Sequence, residues 1–356
     1  MNFITKISVM SVAALIGSAP LDADACTRVV YIGDSGIVIT GRTLDWKENI
    51  GTNLYVMPRG MERAGYDDNN TIKWTSKYGS VVAVGYDMGV SEGMNEKGLV
   101  CNLLYLPGTI YSLPGDNRPA MSTSVWAQYV LDNFATTAEA VAELKKDAFR
   151  IDAPAMPGGS STTLHMAISD ATGNSAIIEY IDGKISIHEG NEYQVLTNAP
   201  TYDDQLAIND YWQGVGGMHM LPGTNRSSDR FARGYFYINA IPQNANRQMA
   251  LGGVFGVVRN VSVPLGISVP EQPEISSTRW RSVADQQNKI YFFETTLSPS
   301  VIWVDLSKMD LRKGAPVKKL DLINNPDYPY SGEVNDLMVT SKPFTPMYRI
   351  PKDLKL

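Results

Sequence analysis

The chain has 356 residues, of which 31 are Lys or Arg and 37 are Asp or Glu, and its formal net charge is −6. Apolar residues make up 44% and charged residues 19% of the chain, which indicates a globular protein rather than a disordered one. The acidic balance argues against a nucleic-acid-binding protein, and two cysteines are too few for a disulfide scaffold or a cysteine-rich zinc site.

The first 25 residues have the pattern of a secretory signal peptide. Lys6 precedes an apolar stretch over residues 7–17, and the sequence Ala23-Asp24-Ala25 provides an A-x-A cleavage site. The apolar stretch is too short for a membrane span, which needs about 20 apolar residues, and no later segment supplies that length. We therefore expect a soluble protein that is exported to the periplasm or secreted and that begins at residue 26.

Removal of these residues would leave Cys26 at the N-terminus, and the local pattern leaves three interpretations of it open. Cys26 is an ordinary buried thiol or half of a disulfide with Cys101, or a lipid-modified anchor, or a catalytic nucleophile. Lipoprotein signals usually carry Leu three residues before the cysteine, whereas Ala23 stands there and the charged Asp24 follows it. An N-terminal nucleophile would use its own α-amino group as the base, which suits a chain with only three histidines.

Predicted elements follow one another in blocks along the mature chain. Strands are predicted at residues 27–32, 37–43, 53–57, 80–86 and 99–106, with a turn at 33–36. Helices are predicted at 122–134 and 136–149 and, after strands at 163–169, 175–180, 184–188 and 193–197, at 202–213, 228–240 and 248–259. Residues 278–305 are again strand-like, and the chain after residue 305 is expected to be a peripheral tail.

This order of elements predicts the fold class. Blocks of strands and helices, rather than strict alternation, favour an antiparallel α+β sandwich over a doubly wound parallel sheet. No segment rich in Gly, Ser or Pro separates two halves of the chain, so we expect residues 26–356 to form one large domain.

Two patterns that could suggest other chemistry do not support it. Residues 89–93 (GVSEG) form a formal G-x-S-x-G, but the helix that must follow a nucleophilic serine is absent, so we expect a glycine-rich turn. The histidines at positions 165, 188 and 219 lack the spacing of metal ligands. We expect no metal and no cofactor.

The second predicted strand brings Arg42 back near Cys26 and carries Asp45 three residues further on. Residues three apart face opposite sides of a regular strand, so Arg42 and Asp45 can serve one site only if the strand bends near Leu44. A surface arginine and a turn aspartate remain the alternative interpretation from this local pattern.

Seven short motifs, taken in order, identify a family. They are residues 26–28 (CTR), 41–46 (GRTLDW), 93–99 (GMNEKGL), 163–165 (TLH), 168–170 (ISD), 195–200 (VLTNAP) and 221–231 (LPGTNRSSDRF). Together they closely resemble the choloylglycine hydrolase and penicillin V acylase family, above all its exported Gram-negative, Bacteroides-type members. The resemblance runs from Cys26 to about Trp303 and implies an N-terminal nucleophile fold, a four-layer αββα sandwich of two antiparallel sheets. It also implies a homotetramer that hydrolyses linear C–N amides.

The resemblance assigns roles to individual residues. It implies that Cys26 is the nucleophile and its freed amine the base, that Arg42 lies beside the thiol, and that Asp45 holds the amine. Asn198 would supply an oxyanion donor, and Arg230 would organise polar groups at the edge of the site.

Tyr105 occupies a position where many bile salt hydrolases carry Asn and where penicillin V acylases tend to carry Tyr. If the backbone N–H of Tyr105 is the second oxyanion donor, the side chain can vary without loss of the mechanism, but the preferred acyl group is then left open. Cys101, four residues earlier, is expected to be a core residue.

The predicted activity is therefore hydrolysis of a small-molecule amide with a bulky apolar acyl group, through an acyl-enzyme on Cys26. Glycine- and taurine-conjugated bile salts are the first expectation for the substrate, and penicillin V or an N-acyl homoserine lactone is the alternative. A non-enzymatic alternative is an exported or lipid-anchored binding protein.

Overall fold

The computed structural model describes residues 26–154, 163–267 and 276–348, so the predicted signal peptide lies outside the described residues. The first ten strands are β1 (Thr27–Ile32), β2 (Val38–Trp46), β3 (Thr52–Met57), β4 (Glu62–Ala64), β5 (Lys73–Thr75), β6 (Ser80–Gly85), β7 (Gly89–Asn95), β8 (Val100–Tyr105), β9 (Ala120–Ser122) and β10 (Arg150–Asp152). The others are β11 (Leu164–Ser169), β12 (Ser175–Ile181), β13 (Lys184–Glu189), β14 (Val195–Thr197), β15 (Ser277–Asp285), β16 (Ile290–Thr295), β17 (Ile302–Asp305), β18 (Lys318–Leu320), β19 (Gly332–Glu333) and β20 (Val339–Thr340). The α-helices of the described ranges are α1 (Thr123–Asn133), α2 (Thr137–Leu144), α3 (Tyr202–Val215), α4 (Ser227–Ala240) and α5 (Arg247–Asn260).

Two large sheets dominate the fold. The seven-stranded sheet has the order β14-β1-β2-β15-β16-β17-β19, and the nine-stranded sheet has the order β13-β12-β11-β8-β7-β6-β3-β18-β20. Neighbouring strands are antiparallel in both, except that β17 and β19 are parallel. The short pairs β4-β5 and β9-β10 stand apart from the large sheets. The predicted antiparallel α+β sandwich is confirmed.

Alternate side chains of the central strands fill two separate apolar cores. Val81 and Ala83 of β6 belong to the core between the two sheets, whereas Val82 and Val84 belong to a second core beneath α1. Helices α4 and α5 cover the outer face of the seven-stranded sheet, and α1 covers the outer face of the nine-stranded sheet. The layers are therefore helix, sheet, sheet and helix, as the resemblance implies.

Three elements differ from the expectations. The helix predicted at 136–149 ends at Leu144, because Asp147 adopts a positive φ of 47° that an α-helix cannot continue through. The G-x-S-x-G pattern lies in strand β7 and not in a turn, although no helix follows its serine. Strand β2 extends to Trp46, so Arg42 and Asp45 lie on one continuous strand.

The chain after Asp305 is more integrated than a peripheral tail. It contributes β18 and β20 to the nine-stranded sheet and β19 to the seven-stranded sheet. Its apolar residues Leu320, Val334 and Met338 are buried in the core between the sheets. Their burial gives the physical reason for the difference, because each apolar side chain removed from water stabilises the segment by about 1.5–3 kcal/mol.

Candidate active site

Cys26 lies immediately before β1, with only 4% of its surface exposed. Its backbone nitrogen donates a hydrogen bond of 2.9 Å to Oδ1 of Asn198. Asn198 comes directly after β14, which pairs with β1 so that Thr27 stands opposite Thr197. The edge of the seven-stranded sheet thus brings together two residues that are 172 positions apart in the chain.

Polar groups of β2 surround the Cys26 thiol. The backbone N–H of Asp45 donates to Sγ at 3.5 Å, and Nη2 of Arg42 lies 3.8 Å from Sγ. Burial raises the pKa of the Cys26 thiol, the positive charge of Arg42 opposes that rise, and the charge of Asp45 adds to it. The thiol therefore depends on Arg42 to favour its reactive, ionised form.

The Arg42 guanidinium spans the gap between the two sheets. From β2 it donates to the carbonyl oxygens of Ser91 at 3.2 Å and Leu103 at 2.6 Å, and it forms an ion pair of 2.9 Å with Glu92. Burial acts to lower the pKa of Arg42, but the attraction of Glu92 and of the Cys26 sulfur outweighs it and raises that pKa. Arg42 is therefore held as a cation beside the thiol.

Glu92 is a member of the site that the sequence alone does not reveal. It is buried on β7 and, besides the ion pair with Arg42, accepts hydrogen bonds from Asn102 Nδ2 at 3.1 Å and from the hydroxyl of Tyr291. The sequence signal for Glu92 is its position immediately before residues 93–99 of the family motif. A carboxylate buried there must face a cation or hydrogen-bond donors. The network fixes the Arg42 head group from the side of the second sheet.

Arg42 and Asp45 lie on opposite faces of β2, as residues three apart on a strand do. Arg42 contacts the second sheet, whereas Asp45 contacts Thr43 and, on α4, Arg230. Leu44 pairs with Trp280 and Asp45 with Thr278, so β15 carries one extra residue opposite this step and the ladder shifts its register. This irregularity lies in β15 and does not turn the Asp45 side chain toward the thiol, so the expected bend that would place both side chains in one site is not observed.

The Asp45 carboxylate faces away from the thiol. It accepts hydrogen bonds from the hydroxyls of Thr43 at 3.1 Å and of Thr278, and it forms an ion pair of 2.6 Å with Arg230. In the unprocessed chain the Cys26 nitrogen is a peptide N–H with one hydrogen, which it donates to Asn198, so the expected contact between the freed amine and this carboxylate stays a prediction. The backbone N–H of Asp45 contacts the sulfur.

Arg230 lies in the first turn of α4 and is completely buried. It donates to Thr43 Oγ1 at 2.9 Å in addition to its ion pair with Asp45. Both contacts are to β2, the strand whose Asp45 N–H also contacts the Cys26 sulfur. The expectation that Arg230 organises polar groups at the edge of the site agrees with this position.

A cavity of about 150 Å³ opens beside the thiol. Its walls are mostly apolar, and they come from the ends of both sheets, the start of α1 and the C-terminal segment. The lining residues are Cys26, Arg42, Leu44, Asp45, Trp46, Ile50, Gly85, Tyr86, Met88, Gly89, Val90, Ser91, Leu103, Tyr105, Thr123, Ser124, Leu164 and Met347. Tyr105 is half-buried there, with its ring edge-on to Trp46 at a centroid distance of 5.9 Å. Such a cavity fits an apolar acyl group next to the sulfur.

Other features that the sequence raised have structural explanations. Cys26 and Cys101 are both free, so the disulfide between them is excluded, and Cys101 is buried in the core as expected. The two buried or half-buried histidines pair with carboxylates, His165 with Glu179 and His188 with Asp203, each at 2.9 Å. Across the described ranges there is no group of three or more His, Cys, Asp or Glu side chains that could hold a metal ion.

No helix within the described part of the chain is long and apolar enough to cross a membrane.

Comparison with known proteins places these residues in a family. Residues 26–325 match the model of the linear amide C-N hydrolases, choloylglycine hydrolase family. The chain is 42% identical to a penicillin V acylase from Pectobacterium atrosepticum, with 94% of each chain covered. It is 27% identical to a bile salt hydrolase/transferase from Clostridium perfringens over 80% of this chain and 94% of the relative. The solved structure of penicillin V acylase from Agrobacterium tumefaciens superposes with a TM-score of 0.84 at 54% identity, over 90% of this chain and 99% of that one.

Proposed function

Because this chain belongs to the linear amide C-N hydrolases of the choloylglycine hydrolase family, we propose that it cleaves amides of monocyclic aryl-acyl groups, as in penicillin V, with Cys26 as the nucleophile. The observation that carries the proposal is the contact set of Cys26. Its sulfur lies 3.8 Å from the Arg42 guanidinium at the mouth of an apolar cavity, and its nitrogen is held by Asn198.

The mechanism is acyl transfer in two steps. Once residues 1–25 are removed, the α-amino group of Cys26 takes the thiol proton, and the sulfur attacks the amide carbonyl. The same amine passes the proton to the leaving nitrogen, and water then hydrolyses the thioester. Arg42 lowers the cost of forming the thiolate, and the hydrogen bond that Asn198 Oδ1 accepts from the Cys26 nitrogen orients the amine.

Asn198 and Tyr105 are the proposed oxyanion donors. An amide side chain has one acceptor oxygen and a donor nitrogen, so Asn198 can bind the Cys26 nitrogen with Oδ1 and present Nδ2 to the substrate oxygen. Tyr105 lines the same cavity at the end of β8, and its backbone N–H is the second proposed donor. Each such donor is worth about 3–4 kcal/mol of transition-state stabilisation.

The dimensions of the cavity support a small aromatic acyl group. An engineered apolar cavity of about 150 Å³ in another protein holds one benzene ring. The cavity beside Cys26 has the same volume, and its aromatic walls match a phenoxy ring better than the four fused rings of a bile acid. The 42% and 54% identities to penicillin V acylases favour the same choice, while bile salts stay a second candidate through the 27% identical relative.

The test is a substrate panel on the mature enzyme. Penicillin V, glycocholate, taurocholate and an N-acyl homoserine lactone are compared by kcat/KM, with the Cys26→Ala variant as the control for background hydrolysis. We expect penicillin V to give the highest value. A higher kcat/KM for a conjugated bile salt would contradict the proposed acyl preference, and no hydrolysis of any amide would contradict the proposed function.

Export, lipid anchoring and assembly are further expectations that measurement can decide. We propose that the protein is exported and that cleavage after Ala25 exposes the amine, which an intact mass beginning at Cys26 would support. A diacylglyceryl adduct on Cys26 would contradict it and favour a lipid-anchored protein. The expected homotetramer is tested by light scattering of the mature protein.

A further inference from the structure

The C-terminal strap, residues 341–348, runs from the last strand of the nine-stranded sheet to the cavity beside Cys26. It begins directly after β20, where the backbone N–H of Ser341 donates to Val317 O at 2.9 Å. Phe344 is buried, with its ring 6.0 Å from that of Tyr55, and Met347 lines the cavity. A segment remote in sequence from every family motif therefore forms part of the acyl-binding wall.

The backbone of Met347 is fixed on both sides. Its N–H donates to the carbonyl of Met88 at 3.0 Å, and its carbonyl accepts from the hydroxyls of Ser122 at 2.8 Å and Ser124 at 2.9 Å. A carbonyl oxygen has two lone pairs, so these two hydroxyls satisfy it fully. Ser124 and Met88 line the cavity themselves, which ties the strap to the cavity wall on both sides.

Tyr348, the last described residue, adds a further anchor. Its hydroxyl donates to the carbonyl of Ala64 at 3.0 Å, and its ring packs against Tyr66 at a centroid distance of 5.6 Å. The strap is thus attached before Met347, at Met347 and after it. Met347 has only 9% of its surface exposed and is held in place as a wall residue.

We infer that Met347 sets the size of the acyl group that the enzyme accepts, by closing the apolar cavity to groups larger than one ring. The inference rests on the proposed function and names a specificity-determining residue for it. The family model ends at residue 325, so the strap is a feature that the family match does not account for. A methionine suits this role because its thioether is polarisable and packs favourably against the edge of an aromatic ring.

The experiment compares the ratio of kcat/KM for glycocholate to that for penicillin V in the wild-type enzyme and in Met347→Ala. Removing the side chain enlarges the cavity toward the strap, and we expect the ratio to rise by about tenfold to a hundredfold. Met338→Ala is the matched control, because Met338 is a buried methionine of the same C-terminal region that does not line the cavity. The ratio should stay at the wild-type value in that variant.

A ratio in Met347→Ala that equals the wild-type ratio, with Cys26 still alkylated by iodoacetamide at the wild-type rate, would overturn the inference. If Met347→Ala does not fold, Met347→Val carries the test, since it shortens the side chain and leaves the hydrogen bonds of the Met347 backbone in place. We expect the same direction of change there, and an unchanged ratio would again refute the role of the strap. Absence of amide hydrolysis in the wild-type enzyme would instead refute the proposed function.

Discussion

The contact between Arg42 and the Cys26 sulfur predicts how the reactivity of the thiol changes when the guanidinium is removed. Two unit charges separated by 3.8 Å interact by about 4 kcal/mol at an effective dielectric constant of about 20. Glu92, at 2.9 Å from the guanidinium, offsets part of this attraction, so 4 kcal/mol is an upper limit for the stabilisation of the thiolate. One factor of ten in an equilibrium corresponds to about 1.4 kcal/mol.

The variant that tests this is the double substitution Arg42→Met with Glu92→Gln. Arg42→Met alone would leave the Glu92 carboxylate buried without its cation and lower the free energy of unfolding by about 3–5 kcal/mol. The double variant removes both charges of the pair and keeps the side-chain volumes similar. Its thiolate fraction at neutral pH should fall by about ten- to a hundredfold, because Arg42 lies against the sulfur while Glu92 lies behind Arg42.

The assay is alkylation of the mature protein by iodoacetamide between pH 5 and 9, read by intact mass. Burial raises the pKa of the Cys26 thiol, so the wild-type rate should rise with pH as the thiolate forms. In the double variant this rise should move to higher pH. Arg233→Met is the control, because Arg233 is a buried arginine of α4 that binds the carbonyl of Pro222 and makes no contact with the sulfur. Identical profiles for the wild type and the double variant would refute the electrostatic role of Arg42.

Three more outcomes follow from the same site. One extra residue retained before Cys26 should abolish penicillin V hydrolysis, because an amide nitrogen cannot accept the thiol proton; activity in a protein whose mass retains that residue would contradict this. Asn198→Ala should lower kcat by about a hundred- to a thousandfold with a small change in KM, since an oxyanion donor acts in the transition state. Asp45→Asn should lower the free energy of unfolding in guanidinium chloride by about 3–5 kcal/mol, because Arg230 loses its buried counter-charge, while the exposed Asp210→Asn should leave it unchanged.

The part of the site built by one hairpin could be predicted from the sequence. The turn at 33–36 fixes the pairing of β1 with β2, which sets Arg28 opposite Arg42 and Thr27 opposite Thr43 and so brings Arg42 to Cys26. The two-residue period of a strand also predicts that the side chains of Arg42 and Asp45 face opposite sides of β2, as they do. Short-range geometry carries these conclusions.

The rest of the site depends on pairings that no local pattern encodes. The contact between Cys26 and Asn198 requires β14 to pair with β1, and Glu92 reaches Arg42 only because the second sheet packs over the first. The sequence around Glu92 predicts a turn, although it forms strand β7, because its glycines hide the alternation of a buried strand. Met347 follows a segment without helical or strand periodicity, so its place in the cavity could not be predicted from the sequence.

Two buried ion pairs bracket Cys26, and their arrangement offsets part of the cost of ionising a thiol with 4% exposure. One pair, Asp45 with Arg230, lies on one side of Cys26, and the other pair, Arg42 with Glu92, lies on the other side. The charges of each pair cancel, so the site gains no general positive potential. The stabilisation of the thiolate that opposes burial comes from orientation, because the cation of one pair faces the sulfur while the anionic residue of the other pair presents its backbone N–H. Buried ion pairs contribute little net stability in many proteins, and here their geometry fixes the direction of the field at one atom. Since Arg42 also donates to Ser91 and Leu103 of the second sheet, that direction is set by the packing of the sandwich itself.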